Sequence, residues 1–90
     1  MRTCMLDGEK LTTKELLHQT LAAELDLPAW YGHNLDALYD CLTEKSEEVQ
    51  IVCSHLKEME AALGHYATAL QQVLKDAAKE NPRVEVLFLS

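Results

Sequence analysis

Val84-Glu85-Val86-Leu87-Phe88-Leu89 is the strongest strand signal in the chain. β-Branched, aromatic and leucine side chains fill five of its positions, and it follows Asn81-Pro82, a pair that stops a helix. The nearly continuous apolar run at 86–89 suits a strand covered on both faces. Upstream, Leu70, Val73, Leu74 and Ala77 form a helical stripe, predicting a helix over 66–80. Gly64 closes a preceding helix over 55–63, whose apolar side is Leu56, Met59, Ala62 and Leu63 and whose N-cap is Ser54. Val49 to Cys53 reads as a second strand. The chain thus returns from one strand to the next through two helices.

The amino-terminal half repeats that grammar. Residues 1–6 form a short strand ended by Asp7-Gly8. Thr12-Thr13-Lys14-Glu15 reads as a capping box with Thr12 at the N-cap. Leu16, Leu17 and Leu21, with Ala22 and Leu25, predict a helix over 13–25, ended by Leu27-Pro28 because a residue before proline leaves the helical region. Pro28 to His33 is a loop carrying Trp30 and Tyr31. Asn34 caps a helix over 35–43, with Leu35, Leu38 and Leu42 on its apolar face and Cys41 beside it. Residues 44–48 are polar. Parallel strands need such helical crossovers, so the expectation is one α/β domain over residues 1–90, a three-stranded parallel sheet packed with about four helices. There is no internal repeat, low-complexity tract or linker.

Composition narrows the function. At 90 residues, with 48 % hydrophobic and 26 % charged side chains, the chain has an ordinary globular balance. A domain this small buries only roughly 60–65 % of its unfolded surface, which argues against a deep cavity for a large cofactor. The net charge is 8 − 15 = −7. Eight basic residues supply few phosphate contacts, so direct nucleic-acid binding is not expected. No signal-peptide pattern and no window of about 18 apolar residues is present, so neither export nor a membrane span is expected. Cys4, Cys41 and Cys53 make an odd count without CxxC spacing, consistent with reduced, mostly buried thiols in a cytoplasm.

The chain offers no reaction. His18, His33, His55 and His65 match no metal-ligand spacing and read as surface or loop histidines; no metal and no cofactor are expected. A Cys41–His33 nucleophilic pair is arithmetically possible, but Cys41 lies near an apolar stripe, where a thiol is inert packing.

The 35–43 helix is more informative. Asp36 and Asp40, four apart, project from one face, at a repulsive cost of roughly 0.2–0.5 kcal/mol. Asp36 gains from the helix dipole, whereas Asp40 near the carboxyl end does not, and Glu44 adds a third acid there. Nothing local explains that arrangement. With Trp30, Tyr31 and Tyr39 nearby, the face reads as a protein-binding patch for a basic, concave partner, because Trp and Tyr are enriched at interfaces. The alternative is a solvated acidic helix whose aromatics fold inward as core.

Trp30-Tyr31-Gly32-His33-Asn34-Leu35-Asp36-Ala37-Leu38-Tyr39-Asp40-Cys41-Leu42-Thr43 resembles the aromatic-Tyr-Gly-x-Asn-Leu-Asp-Ala-Leu-Trp-Asp-Cys-Leu-Thr signature of the barstar family of intracellular ribonuclease inhibitors. Leu17-His18-Gln19-Thr20-Leu21, Glu24-Leu25-x-Leu27-Pro28 and Leu89-Ser90 match as well. The similarity covers nearly the whole chain, with an apparent extra residue near Pro82. It implies a three-stranded parallel sheet with helices, and a helix 35–43 that plugs a ribonuclease active site together with the loop before it. Carboxylates would there stand in for RNA phosphates. By that resemblance Asp40 is the central acid, Asp36 meets a second basic group, and Trp30 takes the place of a family tyrosine packed over the cleft. Gly32, Asn34, Leu35 and Tyr39 shape the contact, and Thr43 matches the loop just beyond. Asp76 falls where the family has a glutamate that reaches a rim arginine.

Three departures stand out. Glu44-Lys45 replaces a family Gly-Trp pair that helps contact the enzyme, Ser54 replaces a tryptophan, and Trp30 replaces tyrosine. The expectation is a non-catalytic, cytoplasmic immunity protein, monomeric when free, against a ribonuclease of the barnase type or another nuclease toxin with a basic active site. The alternatives are an adaptor for a different basic protein, or a small Cys/His metal protein.

Overall fold

The computed structural model describes residues 1–89; Ser90, which the family resemblance includes, lies outside the described residues. The elements run β1 (Arg2–Asp7), α1 (Lys14–Glu24), α2 (Leu35–Thr43), β2 (Val49–Ser54), α3 (Leu56–Leu63), α4 (His65–Glu80) and β3 (Val84–Phe88). All three strands are parallel, in the order β1-β2-β3, with Cys4 opposite Ile51 and Ile51 opposite Val86. This is the α/β architecture expected from the sequence.

Side chains alternate across a strand, and here the two faces differ. Cys4, Leu6, Val49, Ile51, Cys53 and Val84 join the core beneath the helices, while Thr3, Met5, Glu85 and Leu87 are exposed. β3 is therefore not covered on both faces: Leu87 is 42 % exposed. With three strands β2 takes the centre, and the helices cover one face only. On the outer edge of β1 the Met5 N–H is taken by α1, whose Glu24 carboxylate accepts from it at 2.8 Å.

The helices obey local rules, with three shifts. Thr13, not Thr12, caps α1: its side chain accepts from the Leu16 N–H, so no reciprocal capping box with Glu15 forms. α1 stops before Leu27-Pro28, because Asp26 turns left-handed (φ 51°) and the Leu27 N–H closes back on the Ala22 carbonyl. That is a Schellman-type end, which Asp tolerates better than most residues. Ser54 finishes β2 instead of capping α3; the cap position is His55, left-handed at φ 54° and without a side-chain cap bond. α4 buries Ala67, Leu70, Leu74 and Ala77, the 3-4-3 spacing of one helical stripe. No helix among the described residues is long and apolar enough to cross a membrane.

Two polar residues are buried in this core. His18 is 1 % exposed, not the surface histidine that spacing alone suggested. It lies on the α1 stripe between Leu17 and Leu21. Asn81, read from sequence as a helix stop, donates its amide to the carbonyls of Leu42 (2.9 Å) and Lys45 (3.0 Å) and accepts from the Arg83 N–H. It ties the end of α2 to the end of α4.

Candidate functional site

The loop before α2 is fixed at both ends by left-handed residues, Asp26 and His33. Within it the Tyr31 N–H donates to the Pro28 carbonyl at 2.9 Å. Asn34 does two jobs. Its Oδ1 accepts from the Ala37 N–H at 2.8 Å, capping α2, and its Nδ2 donates to the Gly32 carbonyl at 3.2 Å. A Cβ on Gly32 would stand 2.9 Å from that Nδ2, so the staple needs glycine there. The loop enters the helix in one fixed geometry, set by Gly32 and Asn34.

α2 turns Leu38, Cys41 and Leu42 inward and packs Leu35, Ala37 and Tyr39 partly against the core. Asp36, Asp40 and Glu44 remain exposed. Spaced by four, they climb one face at about 6 Å per step. α2 contains no basic residue, and among the described residues no ion pair involves any of the three. Thr43 is half-buried and donates its hydroxyl to the Asp40 carbonyl. The carboxylates are uncompensated charges held on a rigid support.

The aromatics divide. Trp30 is 62 % exposed at the loop tip, and Tyr39 is half-buried. Tyr31 is only 6 % exposed, so its ring belongs to the core and not to the outer face. Its hydroxyl meets His18 Nδ1, while His18 Nε2 meets the Tyr66 hydroxyl at 2.6 Å. One histidine thus joins α1, the loop and α4. Burial, reinforced by nearby His33, pushes the His18 pKa below its ordinary value, so the ring is neutral at pH 7. A neutral imidazole donates from one nitrogen and accepts at the other, which satisfies both hydroxyls. Burial also raises the Tyr31 hydroxyl. The signal that marks His18 in the sequence is a polar residue on an apolar stripe.

Two other expected positions behave differently. Asp76 is half-buried on α4 and accepts from Gln72 at 2.9 Å. Lys45, in the loop that departs from the family pattern, folds back so that its Nζ donates to the Leu25 carbonyl at 2.6 Å. Of Glu44-Lys45, only Glu44 reaches outward. Cys41 is buried, and its thiol is pushed up chiefly by burial, so no nucleophile forms with His33. Cys4 and Cys53, also free, are pushed up to about 12 by burial.

The sequence profile of the barstar (barnase inhibitor) family matches residues 1–89. The chain is also 37 % identical over 81 residues, covering 89 % of each sequence, to a Bacillus subtilis (strain 168) protein named "Putative ribonuclease inhibitor YrdF". A match across nearly the full length, over a fold of the expected topology, settles the assignment: this chain belongs to the barstar family.

Proposed function

We propose that this protein is a non-catalytic inhibitor that neutralises a ribonuclease by seating α2 and the loop before it in the enzyme's basic active site. The observation that carries this reading is the row of unpaired carboxylates, Asp36, Asp40 and Glu44, beside exposed Trp30 on a loop stapled by Asn34. A ribonuclease binds phosphate with Arg, Lys and His, and carboxylates on a preorganised helix satisfy the same groups with little ordering cost. Asp40 is the central acid and Asp36 its neighbour; Gly32, Asn34, Leu35, Tyr39 and Thr43 shape the contact, and Asp76 meets a cation at the rim. Tyr31 contributes by holding the loop from beneath. On this reading the protein works in a reducing cytoplasm, which free thiols suit, and protects the cell from a nuclease toxin.

The test is titration of the chain into small microbial ribonucleases of the barnase type, following RNA cleavage at low and moderate salt. Inhibition should be stoichiometric and associate more slowly as salt rises. Asp40→Ala should weaken binding by at least ~2–5 kcal/mol, mainly through a faster off-rate, since it leaves a buried cation unpaired in the enzyme. The same substitution should leave the free fold as stable or a few tenths of a kcal/mol more stable, by relieving like-charge repulsion. Unchanged inhibition by Asp40→Ala would refute this placement of the site. The inward-folded Lys45 favours a second reading, an adaptor for a different basic protein that meets Glu44 where the family presents Gly-Trp. That partner would bind the wild type and not Asp40→Ala, with no ribonuclease inhibited.

A further inference from the structure

Away from α2, three potential metal ligands converge: Asp7, the last residue of β1, Glu9 in the turn that follows it, and His55 just after β2. We propose that these three side chains bind a single divalent transition-metal ion of the zinc type at the carboxyl-terminal edge of the sheet.

The parallel register sets Asp7 opposite Ser54, which brings His55 over the first turn although the residues are 48 apart in sequence. His55 Nδ1 is 3.0 Å from Asp7 Oδ1, and Nε2 is 3.4 Å from Glu9 Oε1. One donor atom from each residue lies within 4.8 Å of the other two. Ligands held about 2.0–2.2 Å from one ion stand roughly 3–3.6 Å apart; one ion takes only one ring nitrogen, so an ion at Nδ1 requires exposed Glu9 to swing from the Nε2 side of the ring to join Asp7.

The decisive atom is His55 Nδ1. It is shielded from solvent and, among the described residues, makes no hydrogen bond, although the Asp7 oxygen stands close beside it. The same Asp7 oxygen accepts from the Glu9 N–H at 2.9 Å, which holds that carboxylate beside the ring nitrogen. The His55 side chain as a whole is 44 % exposed and that of Glu9 58 %, so the rim of the cluster is open to solvent. Among the described residues, no lysine or arginine forms an ion pair with Asp7 or Glu9.

The backbone under the site has no slack. The Gly8 N–H donates to the Ser54 carbonyl at 2.8 Å, and any Cβ on Gly8 would collide with the His55 carbonyl oxygen. One imidazole and two carboxylates form a borderline donor set. It suits zinc better than magnesium, which prefers an all-oxygen octahedron, or copper(I), which prefers thiolate. Water fills the remaining positions. No residue of the proposed inhibitory face takes part, so this inference stands or falls independently of it.

The experiment uses the full chain, reduced and stripped with chelator, and zinc chloride as the probe. Equilibrium dialysis should find one zinc per chain. Zinc at a hundred times its dissociation constant should raise Tm by roughly 10–20 °C, whereas magnesium should not. His55→Asn keeps a residue that tolerates the left-handed backbone and removes the imidazole; Glu9→Gln changes only an exposed carboxylate. Each should weaken zinc at least tenfold and cancel the Tm rise, with the metal-free circular dichroism spectrum unchanged. His65→Asn, at an exposed histidine of α4, should bind zinc like the wild type. Absence of a one-to-one site overturns the proposal, as does equal zinc affinity in wild type, His55→Asn and Glu9→Gln. Equal stabilisation by magnesium overturns the choice of ion.

Discussion

Replacing His18 by leucine isolates the polar contact that holds the α1–α2 loop. The volumes are similar, so the packing between Leu17 and Leu21 survives while both hydroxyl partners are lost. Tyr31 is buried, and an orphaned buried hydroxyl costs about 1–3 kcal/mol. Tyr66 is half-buried and can turn toward water, which adds only about 0.5–1.5 kcal/mol. The sum, roughly 1.5–4.5 kcal/mol, is a large share of the ~5–13 kcal/mol expected of a domain this size.

Urea unfolding at pH 7.5, followed by far-ultraviolet circular dichroism, reads that loss. Fluorescence of Trp30, the only tryptophan, reports separately on the loop. The double variant His18→Leu/Tyr31→Phe should recover at least ~1 kcal/mol relative to His18→Leu, because replacing both partners by apolar groups removes the orphan. Wild-type stability should also depend on pH through this ring. Its native pKa is depressed, first by burial and then by His33, so the unfolded chain binds more protons below its own pKa of about 6.5. The contribution is fully present above that pH and is lost as pH falls through the native value. The slope is at most ~1.4 kcal/mol per pH unit and should be absent in His18→Leu. A single variant costing under 1 kcal/mol, or a double variant that merely adds the two losses, refutes the reasoning.

Two further outcomes follow from buried groups. Asn81→Ala should cost about 2–3 kcal/mol in urea unfolding, because the carbonyl of Leu42 loses its buried donor where α2 meets α4; a loss below 0.5 kcal/mol would show that water replaces the amide. All three thiols should resist Ellman's reagent in the native state and react together on unfolding. With pKa pushed up to about 12, chiefly by burial, Cys4 and Cys53 are protonated at pH 7, and rapid labelling of either in the folded protein would contradict its burial.

Much of this molecule can be read residue by residue from the chain. The bounds of α2 follow from Asn34 and the 35-38-42 leucine spacing, because capping and helical periodicity act within a few residues. The acidic face is legible for the same reason: positions 36, 40 and 44 are neighbours on any helix. Errors cluster where local rules offered two answers. Thr12 and Thr13 are equally good caps by type, and in the fold it is Thr13 that accepts from the Leu16 N–H, in the helix that buries Leu17 and Leu21. An apolar run such as Val86-Leu87-Phe88-Leu89 looks alike whether a sheet is covered once or twice, and the open outer face of β3 depends on where the helices pack.

The parts whose causes are short-ranged are legible in the chain: strand and helix identities, their order, the capped acidic helix and the family signature that spans them. The tertiary structure decided which polar residues go inside and which distant ones meet. His18 became a buried bridge between two tyrosines, Tyr31 turned from the partner-facing side to the core, and Asn81 became a clasp. Asp7 and Glu9 found His55 only because β1 and β2 lie side by side in one register. Those contacts join residues 13 to 48 positions apart, and no local periodicity encodes the side on which two remote side chains will arrive.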